Sequence, residues 1–392
     1  MKTTRAAVAI ILGAAAFAPA AIAGPTTFDW NLRLRHESVR DDAFAQEAQA
    51  DTARLRAAIH AALGGDWSLL VEAEGIASAG DRYNSGANGR TDLPAITDAG
   101  GVELNQAWIG WHGKRGAATF GRQRITWDNQ RWIGNSGWRQ NEQTFDAVEI
   151  EAAPSPRLSL RYAWLGRVHR IAGDEALDPL ARERDLSSHL FNAGWKQGTQ
   201  QWVAYAYLHE DRDVAAASTA TYGLRWSGTH GKVFGWTAEL ARQREYGNNP
   251  RDFAHAYWLL EPSVQIGRVN WKLGWEHLGG DGQHALQTPL ATLHAFNGWA
   301  DKFTTTPASG LEDRYLQSSA KLGKGTWTIA GHDYRADQGG RRYGSELDAS
   351  LAWPLRPGWN GLVKFADYHS DGFAQDTRKL WLQVEYTGSV PL

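Results

Sequence analysis

The chain has 392 residues, with 41 lysines and arginines against 43 acidic residues, and this near-neutral balance gives no sign of nucleic-acid binding. It has no cysteine, which argues against a disulfide scaffold, and no phosphate-binding loop or nucleotide fingerprint, so no cofactor is expected. Its 20 tryptophans and 42 glycines are many for a soluble domain. The tryptophans, with 12 tyrosines and 12 phenylalanines, fit the aromatic girdles of a membrane barrel, but a carbohydrate-binding β-protein could also be rich in tryptophan.

The first segment of the chain has the pattern of a cleaved export signal. Lys2 and Arg5 precede an apolar run at residues 6–17, which is followed by an Ala-Ile-Ala cleavage site. A membrane-anchoring helix is the weaker interpretation, because the run is too short to span a bilayer. We therefore expect residues 1–23 to be a signal peptide and residues 24–392 to form the mature protein.

The mature chain contains no run of about 18 apolar residues, so the sequence offers no transmembrane helix. An exported protein without such a helix is either soluble outside the cytoplasm or closed into a membrane barrel. The pattern of the following residues decides between these two possibilities.

Apolar and polar residues alternate at many places along the mature chain. The clearest apolar sets are Trp30, Leu32 and Leu34; Leu158, Leu160, Tyr162 and Trp164; Tyr222, Leu224 and Trp226; Phe234, Trp236, Ala238 and Leu240; Val269, Trp271, Leu273 and Trp275; and Leu380, Leu382, Val384 and Tyr386. Strict alternation predicts strands with one apolar and one polar face. No helical region is large enough to cover so many apolar faces, so lipid is their expected cover.

Short and long connections alternate between these strands. The short links are residues 63–66, 113–116, 154–156, 197–199, 228–231, 266–268, 323–325 and 355–358. The long polar segments are residues 38–51, 77–101, 125–143, 167–187, 209–218, 243–253, 279–312, 335–344 and 369–378. Eight short and nine long connections predict an all-β, transmembrane antiparallel barrel of 18 strands, with short periplasmic turns and long extracellular loops. A count of about 16 strands stays open, and a soluble sandwich does not require this alternation.

A barrel of this size leaves an aqueous lumen, so its inward positions should be polar. Arginines spaced two apart fall on one face of a strand. They are Arg33 and Arg35, Arg54 and Arg56, and Arg122 and Arg124, while Arg161 and Arg225 lie on the polar faces of their strands. Acids with the same spacing are Glu72 and Glu74, Glu149 and Glu151, and Glu346 and Asp348.

This arginine pattern has two interpretations. A guanidinium group is always charged and matches carboxylate geometry, so a ladder of arginines offers a passing anion successive weak sites. The alternative is that arginines and acids pair across the lumen as structural salt bridges. For each single arginine both interpretations stay open.

The third long loop mixes aromatic residues with arginine, asparagine and glutamine, which stack on and hydrogen-bond to sugars. It contains Trp127, Trp132 and Trp138 together with Arg131 and Arg139. The loop either folds into the lumen as a constriction or packs on itself as a cap.

Two blocks of the sequence carry specific motifs. The first is Phe120-Gly121-Arg122-Gln123, Asp128-Asn129-Gln130-Arg131, Trp138-Arg139-Gln140-Asn141 and Thr144-Phe145-Asp146, and the second runs over residues 288–303 and 306–313. In both blocks the chain resembles the alginate-export family of outer-membrane porins. The resemblance implies a monomeric 18-stranded barrel in the bacterial outer membrane, with an arginine-lined constriction that passes an anionic polysaccharide. It assigns functional positions only to Arg122, Asp128, Arg131, Arg139 and Asp146, which stand inside the matching motif.

Pattern and resemblance together give a candidate lining of the substrate path. It consists of Arg33, Arg35, Arg54, Arg56, Arg122, Arg124, Arg131, Arg139, Arg161, Arg225, Asp128, Asp146, Glu72 and Glu74. The expected partners are outer-membrane lipid, an anionic saccharide or small anionic solute, and periplasmic export machinery if the saccharide leaves the cell. An uptake porin for small solutes is the alternative within the same class.

An outer-membrane barrel enzyme is the rival from another class. Ser187 and Ser188 beside His189, and His209 before Asp211, are the nearest approach to a catalytic constellation, but neither stands in a nucleophile motif. We therefore expect no enzyme and no metal centre, since scattered loop acids such as Asp41, Asp42 and Asp281 are weak indications of calcium. The last strand should end on Tyr386, which would leave a six-residue tail.

Overall fold

The computed structural model describes residues 25–392, so the predicted signal peptide lies outside the described residues. This part of the chain forms one sheet of 18 antiparallel strands, each hydrogen-bonded to its neighbours in sequence. The strands are β1 Thr26–Asp41, β2 Ala48–Gly64, β3 Trp67–Ser78, β4 Gly101–Gly113, β5 Gly116–Gln123, β6 Thr144–Ser155, β7 Leu158–His169, β8 Glu183–Gln197, β9 Gln200–His209, β10 Thr219–His230, β11 Phe234–Glu245, β12 Ala254–Ile266, β13 Val269–Leu278, β14 Leu311–Leu322, β15 Gly325–Arg335, β16 Arg342–Arg356, β17 Trp359–Ser370 and β18 Thr377–Pro391.

Helical structure is limited to three short turns within the described residues. They are α1 (Pro179–Arg182) and two 3₁₀ turns, Ala215–Ala217 and Leu293–Ala295. Between residues 25 and 392, no helix has the length and apolar character needed to cross a membrane.

The sheet closes on itself because β1 pairs with β18 as well as with β2. The β1–β18 register runs from Thr27 opposite Pro391 to Asp41 opposite Thr377. Closure leaves no unpaired strand edge, which is the condition for a sheet to cross a bilayer. The predicted class and the count of 18 strands are confirmed. The chain beyond Tyr386 is not a tail, since it continues β18 as far as Pro391.

The predicted alternation of connections is also confirmed. At one end of the barrel, eight turns such as residues 65–66 and 114–115 join consecutive strands, while nine longer loops join them at the other end. The longest loops are residues 79–100, 124–143 and 279–310. Both described termini lie at the end that carries the short turns, because β1 begins and β18 ends there.

The outer wall of the barrel is apolar, as the period of two predicts. Phe120, Leu240 and Leu273 each leave 60 % or more of their surface exposed on this wall. Near the short-turn end, the rings of Trp359 and Tyr386 stack with their centroids 4.8 Å apart. An exposed apolar band with aromatic rings at its border is the surface that a bilayer covers.

The apolar core lies inside the barrel, where a simple pore would hold only water. Ile125, Trp127, Trp132 and Ile133 belong to a loop, yet all four are buried in one cluster with inward side chains of the wall. Apolar residues of residues 279–310 join the same cluster. Burial of this apolar surface therefore holds two long loops within the lumen.

A charge placed on the outer wall should destabilise the barrel according to its depth in the bilayer. We expect Leu240→Arg, in the middle of β11, to lower the free energy of unfolding by about 2–4 kcal/mol. Leu355→Arg, an exposed outward position at the short-turn end of β16, should cost about 0–1 kcal/mol. Denaturant titration in lipid bilayers measures both values, and equal costs would contradict the assignment of the outer wall to lipid.

Candidate functional site: a loop bridge across the barrel lumen

Two loops meet inside the barrel, L3 (residues 124–143) and L7 (residues 279–310). Gly134 N donates to Leu290 O at 2.8 Å, and Thr292 N donates to Gln130 O at 3.1 Å. The Thr292 hydroxyl also donates to Gln130 Oε1 at 2.7 Å. We call this pairing of L3 with L7 the loop bridge. It answers the question left by the sequence, because L3 constricts the lumen instead of capping the barrel.

The first half of L3 is held by side chains on strands β6 to β11. Trp127 Nε1 donates to Glu149 at 2.6 Å, and Trp132 Nε1 donates to Glu239 at 2.8 Å. Asp128 forms an ion pair with Arg161 on β7, with 2.8 Å between Oδ1 and Nη2. An indole ring is apolar apart from its single N–H donor. Each of these two tryptophans can therefore be buried against the polar inner wall, where a glutamate accepts that N–H.

The second half of L3 is held by an arginine clamp, which consists of Arg33 and Arg35 on β1 and Arg54 and Arg56 on β2, and which binds residues 137–140. Arg33 Nη1 donates to three successive carbonyl oxygens of this segment at 3.1–3.3 Å, and Arg35 Nη2 donates to one at 2.6 Å. Arg54 and Arg56 reach the last carbonyl oxygen of the segment at 3.3 and 3.2 Å. Four arginines of the predicted ladder therefore donate hydrogen bonds to the backbone of L3.

Two arginines of L3 are buried in ion pairs. Arg131 lies 2.9 Å from Glu276 on β13, and its Nη2 donates to Asn297 of L7 at 3.0 Å. Arg139 lies 2.9 Å from Glu37 and 3.5 Å from Asp301 of L7. Burial lowers the pKa of Arg139, but the neighbouring carboxylates outweigh burial and raise this pKa above its usual value. Both residues are structural charges that join L3 to L7 and to the wall.

The tip of L7 is seated in a socket of carboxylates. Asn297 Nδ2 donates to Glu276 at 2.7 Å and to Asp313 at 3.1 Å. The backbone N–H groups of residues 299 and 300 donate to Asp348 at 3.2 Å and to Glu346 at 2.6 Å. Charge-assisted bonds to backbone amides fix the position of this tip more firmly than neutral bonds would.

A second anchor of L7 is a lysine enclosed by aromatic rings. Lys364 Nζ lies 4.1 Å from the ring centre of Trp138 and 3.8 Å from that of Trp299. The same ammonium lies 2.6 Å from Nε2 of His294, whose Nδ1 lies 2.7 Å from Asp301. Burial lowers the pKa of His294 to about 3 despite the Asp301 carboxylate, so a neutral imidazole accepts the bond from Lys364.

The arginine pocket is a cavity of about 380 Å³ beside the second half of L3. Its walls include Arg33, Arg54 and Arg56 of the clamp together with Arg124 and acidic and amide side chains. Arg33 lies 3.3 Å from Glu385, and Arg56 lies 3.2 Å from Glu142, so these cations are partly neutralised. Arg124 contacts Glu72 and Glu142 but keeps 33 % of its side-chain surface exposed, more than its three neighbours.

The aromatic pocket is a separate cavity of about 320 Å³ beside the first half of L3. It lies between the tip of L7 and the inner wall of β10 to β16. Phe296, Trp299 and Tyr315 line it together with the charged side chains Arg225 and Lys272. Two cavities of different chemistry thus lie beside the loop bridge.

Arg122 and Asp146 are corrections to the predicted lining. In the register of β5 and β6 these two residues face each other, and Arg122 shares its face with Phe120, which points out of the barrel. They form an ion pair of 2.9 Å on the outer wall, where His169 lies 3.0 Å from Asp146. The chain leaves β5 directly afterwards, so Arg124 turns inward although it is only two residues from Arg122.

The other residues of the predicted lining lie inside the barrel. Glu74 pairs with Arg56, and Arg225 lies 3.0 Å from Glu239. Sequence reasoning missed the partners on the far strands, which are Glu239, Glu276, Asp313, Lys364, Lys379 and Trp381. The polar face of β18 was the available signal for two of them, because Lys379 and Trp381 continue the alternation of Gln383 and Glu385.

The residues that the sequence offered for catalysis or metal binding form other contacts in the structure. Ser188 Oγ lies 3.0 Å from His209 Nδ1, but both side chains are buried, and the adjoining cavity holds only about 20 Å³. Asp41 pairs with Lys302 at 2.7 Å, and Asp281 caps the turn at residues 283–284. Across residues 25–392, no group of three or more His, Asp or Glu side chains has the arrangement of a metal site.

A closed 18-stranded antiparallel barrel with an apolar outer wall and a charged, loop-constricted interior defines a channel of the bacterial outer membrane. Residues 25–275 match the family described as Alginate export. The match covers more than half of the chain, which therefore belongs to the alginate export family. No curated protein matches the sequence.

Solved structures of outer-membrane proteins share the fold at low sequence identity. OccK1 (OpdK) from Pseudomonas aeruginosa is 15% identical with a TM-score of 0.71, covering 93% of this chain and 99% of its own. OccAB2 from Acinetobacter baumannii is 12% identical with a TM-score of 0.74, covering 93% and 98%. A structure of OpdK from Pseudomonas aeruginosa with vanillate is 16% identical with a TM-score of 0.70, covering 93% and 99%.

Removal of the socket contact at the L7 tip should loosen this loop. Gly298 has a φ of 85°, and a Cβ there would collide with Tyr334 and Glu346. Gly282→Ala in the same loop is the matched control. Its φ of 91° gives an alanine a similar backbone strain of about 1–3 kcal/mol, but the added Cβ would contact no other atom. We expect protease to cut L7 faster in Gly298→Ala than in Gly282→Ala, and equal cutting would contradict the socket.

Proposed function

We propose that the protein is a passive channel for acidic saccharides and other small carboxylated solutes. The observation that carries this proposal is the arginine pocket, where Arg33, Arg54, Arg56 and Arg124 border one cavity next to the loop bridge. Guanidinium groups match the geometry of carboxylates, and a cavity of about 380 Å³ suits a small organic solute.

The partial neutralisation of the pocket supports conduction. Glu72, Glu142 and Glu385 share the four guanidinium groups with any solute that enters. Their competition lowers the affinity for a passing anion, and a channel requires sites that bind weakly enough to release. The clamp arginines also keep the loop backbone in place, so Arg124 is the residue with the most freedom to meet a solute.

The volumes of the two cavities favour small solutes or one extended saccharide chain. L3 and L7 are fixed to each other and to the wall, and cavities of about 380 and 320 Å³ lie beside them. Membership of the alginate export family supports an acidic saccharide as cargo, and the vanillate in one similar structure supports a small aromatic carboxylate. Passive flow follows the concentration gradient, so export would require periplasmic machinery that delivers the saccharide.

We infer transport and not catalysis from the arrangement of polar groups. The Ser188–His209 pair lies in packed surroundings, whereas the accessible charged groups line cavities in the lumen. A hydrolytic site needs a nucleophile that a substrate can reach. The proposed partners are outer-membrane lipid and the solute, and the proposed channel is a monomer.

Planar-bilayer recordings of the purified protein test this proposal. A salt gradient should give a reversal potential that indicates anion preference, and oligogalacturonate added to one side should interrupt the current. A cation-preferring channel that oligogalacturonate does not block would overturn the proposed cargo.

Arg124, which lines the arginine pocket, should affect ion selectivity more than Arg122, which lies on the outer wall. We expect Arg124→Gln to lower the anion-to-cation permeability ratio by up to about fivefold, because it removes an exposed charge near the path. Arg122→Gln removes the same charge from the outer wall and should leave the ratio unchanged. Reversal potentials of both variants, recorded under the same salt gradient, measure this difference. Equal shifts in the two variants would contradict an ion path through the arginine pocket.

A further inference from the structure

The aromatic pocket differs from the arginine pocket in its lining. Three large aromatic rings border it, Phe296 and Trp299 on L7 and Tyr315 on β14, together with the imidazole of His332. Leu259 and Ala330 add apolar surface on the wall. Apolar and aromatic surface combined with a few fixed polar groups is the usual composition of a small-molecule site.

We propose that the aromatic pocket is a second subsite, which binds the ring of a saccharide through stacking and hydroxyl contacts, whether or not the saccharide is charged. This inference rests on the proposed channel function and extends it. Recognition of the acidic group would belong to the arginine pocket, and recognition of the sugar ring would belong to the aromatic pocket.

The three rings are held in place before any solute arrives. The guanidinium of Arg131 lies 4.7 Å from the ring centre of Phe296. Lys364 lies 3.8 Å from the ring centre of Trp299, and the hydroxyl of Tyr315 donates to Glu261. Fixed rings lose little conformational entropy when a ligand stacks on them, so they favour binding of a flat ring face.

The lysine and the arginine of the pocket are each paired with a carboxylate. Lys272 lies 3.1 Å from Glu261, and Arg225 lies 3.0 Å from Glu239. Such pairs present donors and acceptors side by side but little net charge. A polyhydroxyl ring needs this mixture, because each hydroxyl both donates and accepts.

Further polar side chains lie on the pocket wall. Asp348 accepts a hydrogen bond from the backbone N–H of Trp299 through Oδ2 at 3.2 Å, which fixes Trp299 beside the cavity. Gln317 and Thr237 supply further polar groups on the same wall.

An organic cation is the competing occupant, because carboxylates and aromatic rings also form ammonium sites. Lys272 and Arg225 argue against it, since both cations line the pocket. Glu276, which accepts a hydrogen bond from Asn297 at the loop tip, is already paired with Arg131 at 2.9 Å. The saccharide ring therefore fits the pocket better than an ammonium group.

Single-channel recordings with three uncharged or cationic probes test the proposal. Cellobiose is a neutral disaccharide, sorbitol carries hydroxyls without a ring, and tetramethylammonium represents an organic cation. We expect cellobiose to produce current interruptions that are longer than those of sorbitol. Block by tetramethylammonium alone would overturn the saccharide subsite in favour of a cation site.

Substitutions in the lining of the aromatic pocket test whether the current interruptions by cellobiose arise there. Phe296→Leu and Tyr315→Leu should each shorten the cellobiose dwell time by roughly twofold to tenfold, since each removes one aromatic surface. Phe120→Leu makes the same exchange on the outer wall and should leave the dwell time unchanged. Tyr315→Phe keeps the ring and should retain most of the dwell time even if a leucine variant fails to fold.

The outcomes separate this inference from the proposed function. Block by oligogalacturonate without block by cellobiose would overturn the aromatic subsite and leave the acidic-solute channel intact. Block by cellobiose in a channel without anion preference would overturn the cargo and support the ring subsite. Unchanged cellobiose dwell times in both leucine variants would place sugar binding elsewhere and overturn the inference.

Discussion

Within the hydrocarbon of a bilayer no water is present to bond an N–H or C=O group, and the rest of this structure depends on that constraint. It requires each strand to pair on both sides, which the closure of β1 on β18 achieves. It also places apolar residues such as Leu240 and Leu273 against lipid, so that polar residues fall inside. The barrel therefore forces many charged groups into one confined space, where each needs a partner.

Other wall side chains supply some of those partners, and two long loops supply the rest. Carbonyl oxygens of residues 137–140 accept hydrogen bonds from the arginine clamp, and backbone N–H groups of L7 donate to Glu346 and Asp348. The same loops bury their own apolar side chains, including Trp132, against the inner wall. The interior is thus a packed core with cavities beside it, and the space open to a solute is set by loops instead of by the strand count.

Arginines of this chain with similar sequence context have different roles. Arg122 and Arg124 are two residues apart, but one lies in an outer-wall ion pair and the other lines a cavity, because β5 ends between them. Arg33 and Arg54 do lie inside, as their alternation predicts, yet they mainly hold a loop. Alternation assigns a residue to a face of a strand, but the loop carbonyl oxygens that Arg33 and Arg54 bind on that face are more than 80 residues away in sequence.

The sequence by itself determined the class and the alternation of turns and loops, and it favoured 18 strands over 16, because strand period and connection length are local properties of the chain. It also identified L3 as the unusual loop from its tryptophans and arginines. Only the tertiary structure decided that L3 and L7 meet, that the arginine clamp binds loop carbonyls, and that two cavities lie beside the bridge. Those contacts join residues far apart in sequence, and only the closed barrel brings them within hydrogen-bonding distance.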